Sequence, residues 1–177
     1  VGCPVGCRFC ASGIDGVKGT LTAGQIVEQI YRLNQLMAPN RITNVVFMGM
    51  GEPMANYANV MQAVRILHDP KCLNIGARRI TISTVGVPAK MRELAAEDLP
   101  INLALSLHAP NESLRKQLIP WAEHFALDDI LDAARHYFDQ TGRDGGTVHL
   151  HQRLILAGAE IMNGARNQLL ARPGLAG

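Results

Sequence analysis

The sequence predicts an α/β protein built on a parallel sheet, because short apolar segments of strand type alternate with longer amphipathic segments of helix type. Near-continuous apolar runs such as residues 101–107, broken by one Asn, are typical of strands covered on both faces. We expect strands over residues 42–48, 79–84, 101–107 and 148–156, and helices over 22–37, 57–67, 88–96 and 127–138. An open doubly wound sheet and a partial (β/α) barrel both satisfy this order, and in both the sites lie at the carboxyl ends of the strands.

The helix predicted over residues 22–37 carries the clearest local signals. Thr22 and Gln25 have the spacing of a capping box, in which each side chain bonds to the other residue's backbone N–H. Apolar residues then recur on one face, at Ile26, Ile30, Leu33 and Met37. Pro39 cannot continue the helix, so we expect the chain to turn there.

Composition and charge limit the class of protein but do not identify a binding partner. The 177 residues are 47% hydrophobic and 18% charged, which is typical of one globular domain, and no apolar run is long enough to cross a bilayer. The net charge of +2 neither requires nor excludes a nucleic-acid partner. The chain starts without Met and without a signal-peptide pattern, and its first residues look like the end of a strand. We therefore expect a segment to be missing upstream.

Three of the four cysteines lie within eight residues, which is a poor disulfide framework and indicates a metal site in a reducing cytoplasm. Cys3, Cys7 and Cys10 form a C-x3-C-x2-C loop, and three such thiolates can bind three irons of a [4Fe-4S] cubane and leave the fourth iron open. A structural zinc site is the alternative, but zinc normally takes four closed ligands and no His lies nearby in sequence. Cys72 stands apart, and we interpret it as an unligated thiol.

Residues that could contact a ligand follow three of the predicted strands. A glycine-rich turn lets the backbone approach a ligand, and a carboxylate in it can accept hydrogen bonds from an ammonium group. The side chains concerned are Glu52 in the turn after the first strand, and Ser83, Ser106 and His108 where the next two strands end. Each signal alone is more typical of turns and helix caps than of a ligand site. Because parallel strands end at one edge of a sheet, we expect these residues to line one mouth together with the cysteine loop.

The order and wording of these motifs resemble the radical S-adenosylmethionine (SAM) superfamily. The aromatic residue of its C-x3-C-x-aromatic-C motif is Phe9 here, and the turn that contains Glu52 resembles its GEP element. The longer motifs ITNVVFMGMGEP, ITIST and LSLHAPN narrow the resemblance to methyltransferases that modify C2 of an adenine in 23S rRNA and in certain tRNAs. Enzymes that methylate C8 of the same ribosomal adenine are similar. The resemblance covers residues 1 to about 142.

The resemblance implies a fold, two cofactors and a set of site residues. The fold would be a partial (β/α) barrel of the radical SAM type, truncated at both ends. The implied ligands of a [4Fe-4S] cluster are Cys3, Cys7 and Cys10, and the implied lining of the SAM site is Gly51, Glu52, Ser83, Ser106, Leu107 and His108. The implied activity is C2 methylation of an adenine in 23S rRNA, with tRNA as a second substrate. It uses two SAM molecules and an electron-donating reductant protein, in the cytoplasm and away from membranes.

Two departures limit what this chain is expected to do alone. The resemblance implies two further catalytic cysteines, one before Val1 and one beyond Gly177, so we assign no catalytic residue here and expect no RNA methylation by the chain itself. We divide the chain into a radical SAM core over residues 1–142 and a divergent or disordered tail over 143–177. His149 and His151 lie in that tail without a third ligand, which argues against a metal site.

Two alternatives to this functional interpretation stay open: another radical SAM enzyme, and a non-catalytic remnant whose cysteine loop binds zinc.

Overall fold

The computed structural model describes residues 1–141 of the chain, and these residues form three parallel strands and five α-helices. The strands are β1 (Val45–Phe47), β2 (Ile80–Thr84) and β3 (Asn102–Leu105). The helices are α1 (Ala23–Met37), α2 (Tyr57–His68), α3 (Pro88–Ala95), α4 (Glu112–Leu118) and α5 (Leu127–Thr141). The predicted α/β fold is confirmed, and the strand predicted over 148–156 lies outside the described residues.

The three strands form one parallel sheet in the order β1-β2-β3. Ile80 lies opposite Val45, and Ile82 lies opposite Leu103. Within residues 1–141 the sheet is not closed, which agrees with the predicted partial barrel. Because parallel neighbours are joined by crossovers, the carboxyl ends of all three strands lie at the same edge of the sheet.

The two faces of the sheet differ in chemistry. One face of β2 and β3 is apolar and belongs to the main core, through Ile80, Ile82, Leu103 and Leu105. The alternate residues are small or polar, namely Thr81, Ser83, Asn102 and Ala104. Both strands are buried along most of their length, as predicted, whereas β1 buries only Val45. The polar face leads to the carboxyl edge, where the candidate site residues lie.

Helices α2, α3 and α5 supply most of the helical side chains of the main core, which we define as the buried cluster around the apolar face of the sheet. Its helical members include Val64, Leu67, Met91, Leu94, Ile130 and Tyr137. Each such side chain contributes about 1.5–3 kcal/mol when fully buried. The Tyr137 hydroxyl also donates to Ile101 O at 2.7 Å, which connects α5 to the start of β3. None of the helices in residues 1–141 has both the length and the hydropathy needed to cross a bilayer.

Helix α1 begins as predicted and is less buried than predicted. Gln25 N–H donates to Thr22 Oγ1 at 3.3 Å and Thr22 N–H donates to Gln25 Oε1 at 3.0 Å, so the capping box is confirmed. Ile26 and Ile30 pack against the main core, whereas Leu33 and Met37 at the other end of the same face are exposed. Sequence periodicity identified the face correctly, but it does not show how far along a helix the neighbouring sheet extends.

Candidate cofactor site

Two serine hydroxyls lie side by side where β2 and β3 end. Ser83 Oγ and Ser106 Oγ are 3.2 Å apart, and either can donate to the other. Ser106 N–H donates to Thr84 O at 2.8 Å, which continues the parallel pairing past the end of β3. The pair therefore places two groups that can both donate and accept at the edge where parallel sheets form their sites.

The carboxylate of Glu52 is buried in the turn that follows β1. Its Oε1 accepts from Met54 N–H at 3.0 Å, its Oε2 accepts from Val85 N–H at 2.9 Å, and the Thr84 hydroxyl donates a further bond. Burial raises the pKa of Glu52, and these hydrogen bonds act in the opposite direction. Glu52 therefore ties the turn after β1 to the loop after β2. These three bonds leave about one of the roughly four acceptor sites of the carboxylate for a ligand.

The cysteine loop lies over these strand ends. Gly51 comes so near that a Cβ added to it would lie 3.3 Å from Gly2 O. On the other side the Phe9 ring packs against the His108 ring, with 4.7 Å between the ring centroids. These two contacts bring the cysteine motif against the turn after β1 and against the segment after β3.

The base of the cysteine loop depends on a glycine. Gly2 has φ of +86°, and a Cβ at this position would lie 2.0 Å from Gly16 O, so no larger residue fits without movement of the backbone. Gly2 also forms an isolated antiparallel bridge with Val17. At the far side of the loop, Arg8 N–H donates to Leu118 O at 3.0 Å. The loop is thus fixed at both ends by backbone contacts.

The three clustered cysteines are free thiols, of which Cys3 is buried and Cys7 and Cys10 are half-buried. Burial raises the pKa of Cys3, and burial raises the pKa of Cys7 to about 11. Negative charge acts in the same direction, from Glu52 and Cys10 on Cys3 and from Cys3 and Cys10 on Cys7. Three thiolates at neutral pH therefore need a cationic group between them, which the irons of a cluster provide. The donor set fits an iron–sulfur cluster in this respect.

A single metal ion fits the same residues less well. Among residues 1–141, no three Cys, His, Asp or Glu side chains converge on one point that a metal ion could occupy. A structural zinc site gathers four ligands around one ion, whereas each cysteine of a cubane binds a different iron. Three cysteines in one loop match the three protein ligands of a cubane whose fourth iron is open. Cys72 is exposed in the loop after α2.

One predicted site residue differs from the others in where its side chain lies. Leu107 is buried in the main core, so only its backbone can face a ligand. His108 has φ of +59° and lies against Phe9 of the cysteine loop. His149, His151 and the predicted tail over 143–177 lie outside the described residues. The binding roles of the predicted residues stay predictions.

Sequence reasoning missed two residues behind the site. Val85 contributes the N–H that holds Glu52, and Arg115 donates from Nη2 to Val85 O at 2.8 Å. No side-chain signal marks Val85, because it acts through its backbone. Arg115 lies in α4, a helix of seven residues that is too short to show a clear periodicity. A polar residue in such a segment is ordinarily interpreted as solvent-exposed, yet Arg115 is fully buried.

Comparison with known proteins agrees with this geometry. A solved structure of a radical SAM methyltransferase from Sphaerobacter thermophilus superposes with a TM-score of 0.78 at 46% identity and covers 81% of this chain and 42% of that chain. A relative from Symbiobacterium thermophilum, named probable dual-specificity RNA methyltransferase RlmN, is 55% identical over 144 residues, which are 81% of this chain and 39% of the relative. A relative of the same name from Thermus thermophilus is 45% identical over 168 residues, which are 89% of this chain and 47% of the relative.

The chain spans less than half the length of these proteins. The model of the radical SAM superfamily matches residues 1–151, which is most of the chain. Members of that superfamily use a [4Fe-4S] cluster and SAM. The match, the α/β fold and the cysteine loop at the carboxyl edge of the sheet together show that this chain belongs to the radical SAM superfamily.

Proposed function

We propose that this chain is the cofactor-binding core of an RNA methyltransferase that modifies C2 of an adenine in 23S rRNA and in tRNA. The observation that carries the proposal is the contact of the cysteine loop with two separate strand-end segments. Gly2 approaches Gly51 and Phe9 packs against His108, so residues from three distant motifs surround one mouth. This arrangement supports a single site for the cluster and SAM.

In this proposal Cys3, Cys7 and Cys10 would hold the cluster, which would supply one-electron reducing chemistry to SAM bound beside it. The other residues bind and orient SAM. Glu52 accepts hydrogen bonds from its ammonium group, which a buried carboxylate does strongly. Ser83 and Ser106 offer hydroxyls to its carboxylate or ribose, and their mutual hydrogen bond holds both in place before SAM arrives.

The substrate is inferred from the relatives. Their names describe dual-specificity RNA methyltransferases, and they are 45–55% identical to this chain. We propose that the two substrates are rRNA and tRNA. We also propose that the enzyme is cytoplasmic and uses two SAM molecules and an electron-donating protein. The core alone is not expected to methylate RNA, because the two catalytic cysteines implied by the resemblance lie outside it.

Reconstitution under anaerobic conditions tests the cofactor part of the proposal. After loading with iron and sulfide and reduction, EPR should show a [4Fe-4S]⁺ signal that changes when SAM is added. Cys7→Ala should lose this signal, whereas Cys72→Ala, which removes an exposed thiol, should keep it. Tight zinc binding without a cluster would contradict the proposal and favour the non-catalytic alternative.

A chimera tests the RNA part. Residues 1–141 of this chain would replace the matching segment of the Thermus thermophilus relative, which is 45% identical. The chimera should methylate C2 of adenine in rRNA and tRNA fragments, as detected by mass spectrometry of the digested nucleosides. A matched chimera with Cys7→Ala should be inactive. A chimera that binds the cluster and cleaves SAM without methylating RNA would assign this core to a different radical SAM enzyme.

A further inference from the structure

Arg115 is a buried cation in the middle of α4. It is 1% exposed, whereas 38% of the side chain of the next residue, Lys116, is accessible to solvent. Removal of a guanidinium from water is unfavourable unless other groups compensate for the lost hydration. Burial accordingly lowers the pKa of Arg115. The groups around this side chain therefore indicate what it does.

Two backbone carbonyls compensate for part of the lost hydration. Arg115 Nη2 donates to Val85 O at 2.8 Å and Nη1 donates to Phe125 O at 3.4 Å. Its Nε is buried and has no hydrogen-bond partner in the described part of the chain. Over the same residues 1–141, no carboxylate lies within ion-pair distance of Arg115. The charge is held in place by dipoles and is not neutralised by direct contact.

Two ionisable groups lie within electrostatic reach of this charge, namely the carboxylate of Glu112 and Cys7, which carries negative charge only as a thiolate. Glu112 is already engaged, because its carboxylate accepts from Leu127 N–H at 2.9 Å and pairs with Lys116 at 3.6 Å. Cys7 is one of the proposed cluster ligands. The field of the buried guanidinium therefore reaches the cysteine loop.

Packing explains why Arg115 lies behind that loop. Residues after α4 form a small buried cluster with the loop, which we call the loop cluster and which consists of Cys3, Val5, Ile119 and Ala122. Cys7 and Val85 pack against it. The hydrogen-bond partner of Arg115 and the thiol on which its charge acts thus border the same cluster.

We propose that Arg115 is a positioning residue that provides a fixed positive charge behind the cysteine loop and makes the bound cluster easier to reduce. This inference rests on the proposed function, because it requires a cluster at Cys3, Cys7 and Cys10. The potential of an iron–sulfur cluster depends on the net charge and burial of its surroundings. A nearby cation stabilises the more negative, reduced form, and a buried cation is screened little by salt.

A purely structural role is the competing explanation. Arg115 connects the loop after β2 to the segment before α5, because it donates to Val85 O and to Phe125 O. Val85 N–H in turn donates to Glu52. Substitutions that keep or remove the positive charge of Arg115 distinguish the two explanations. Lysine keeps the positive charge and loses the two-carbonyl geometry, whereas glutamine removes the charge and keeps a hydrogen-bond donor.

The test is an EPR-monitored redox titration of the reconstituted chain without SAM. Arg115→Gln should shift the midpoint potential to a more negative value, by on the order of a tenfold change in the reduction equilibrium, which is about 59 mV for one electron. Arg115→Lys should stay near the wild-type potential. Lys116→Gln, which removes the same charge from an exposed position on the same helix, is the matched control and should not shift it.

The remaining outcomes each decide the question. An unchanged potential in a folded, cluster-loaded Arg115→Gln variant would overturn the proposal, as would an equal shift in Lys116→Gln. If Arg115→Gln does not fold, Arg115→Met replaces it as the uncharged variant. A lowered potential in Arg115→Met with a wild-type potential in Arg115→Lys supports the charge effect, and an equal lowering in both supports the structural role. Wild-type protein that binds no cluster would overturn the proposed function, and this inference with it.

Discussion

The main core and the loop cluster are both buried, but they are built differently. The main core joins the apolar face of the sheet to three helices through many large aliphatic side chains. The loop cluster has four buried members, one of which is a proposed cluster ligand, and its neighbours include a second cysteine and Val85. The main core therefore depends on apolar burial, whereas the loop cluster combines little apolar burial with groups that burial disfavours.

The comparison indicates two levels of stability in one small protein. Regions with few apolar contacts open locally at a lower free energy than the global unfolding of the core. The cysteine loop is held by backbone contacts, a ring pair and the small cluster beneath it. We expect the bound cofactor to stabilise this layer, because a group that binds only the folded state favours that state.

Truncation of one buried side chain in each region should give the largest difference in stability and in iron retention. Leu105→Ala in the main core should lower the free energy of unfolding by about 2–5 kcal/mol. Val5→Ala in the loop cluster should lower it by about 1–2 kcal/mol and should reduce iron retention more than Leu105→Ala does. Urea unfolding and iron analysis measure the two effects. Equal losses of global stability would mean that the two regions unfold as one unit.

Replacement of Gly2 should release the cysteine loop from the strand ends. In Gly2→Ala the new Cβ would lie 2.0 Å from Gly16 O, so the backbone must move and the protein should lose most of its iron. Gly16→Ala is the matched control, because Gly16 also has positive φ but has open space around the added Cβ. It should cost only the backbone strain, about 1–2 kcal/mol of unfolding free energy. Equal iron content in the two variants would refute the role of Gly2.

The pH dependence of the unfolding free energy tests whether Glu52 is buried at the site. Burial raises the pKa of Glu52 above its ordinary value of 4.5, so the folded protein binds this proton more tightly than the unfolded chain does. Its contribution to stability is present below pH 4.5 and is lost as the pH rises through the folded-state value. The stability of wild type relative to Glu52→Gln should therefore fall as the pH rises from 4.5 through the folded-state pKa, as urea unfolding of the metal-free protein measures. A difference that grows with pH would contradict this.

The smallest expected effect on stability is at Ser83. Ser83→Ala removes one hydroxyl of a pair 3.2 Å apart and should cost about 1 kcal/mol or less. It should nevertheless weaken SAM binding, as equilibrium dialysis of the cluster-loaded protein measures. Thr81→Val is the control, since Thr81 lies on the same face of β2 and accepts from Asn102 farther from the carboxyl edge. Equal SAM affinity in the two variants would remove Ser83 from the site.

The sequence predicted those features that depend on local pattern. The capping box of Thr22 and Gln25, the three strands and four of the five α-helices are where periodicity and turn residues place them. The predicted site residues meet at one edge because parallel strands leave no other arrangement for their carboxyl ends. Strand limits were less accurate: β1 has three residues, whereas seven were predicted over 42–48.

What could not be predicted depends on contacts between distant segments. Nothing in the local sequence distinguishes Arg115 from an exposed arginine, because its partners, Val85 O and Phe125 O, come from other segments of the chain. Leu107 was predicted to line the site, and its side chain instead enters the main core, since neighbouring residues of an extended chain point to opposite sides. Hydrophobic periodicity predicts neither the burial of Arg115 nor the direction of the Leu107 side chain.

The bond from Arg8 N–H to Leu118 O joins positions that are 110 residues apart, and this has a consequence for synthesis. At about 5–20 residues per second, the cysteine loop leaves the ribosome roughly 5–20 s before its docking partner exists. Thiols that are later buried are open to oxidants during that interval. Alkylation of stalled nascent chains should label Cys3 until α4 has emerged and much less afterwards, and persistent labelling would argue against this order. We therefore expect metal loading to follow the synthesis of α4, after which the cysteine loop can bond to Leu118.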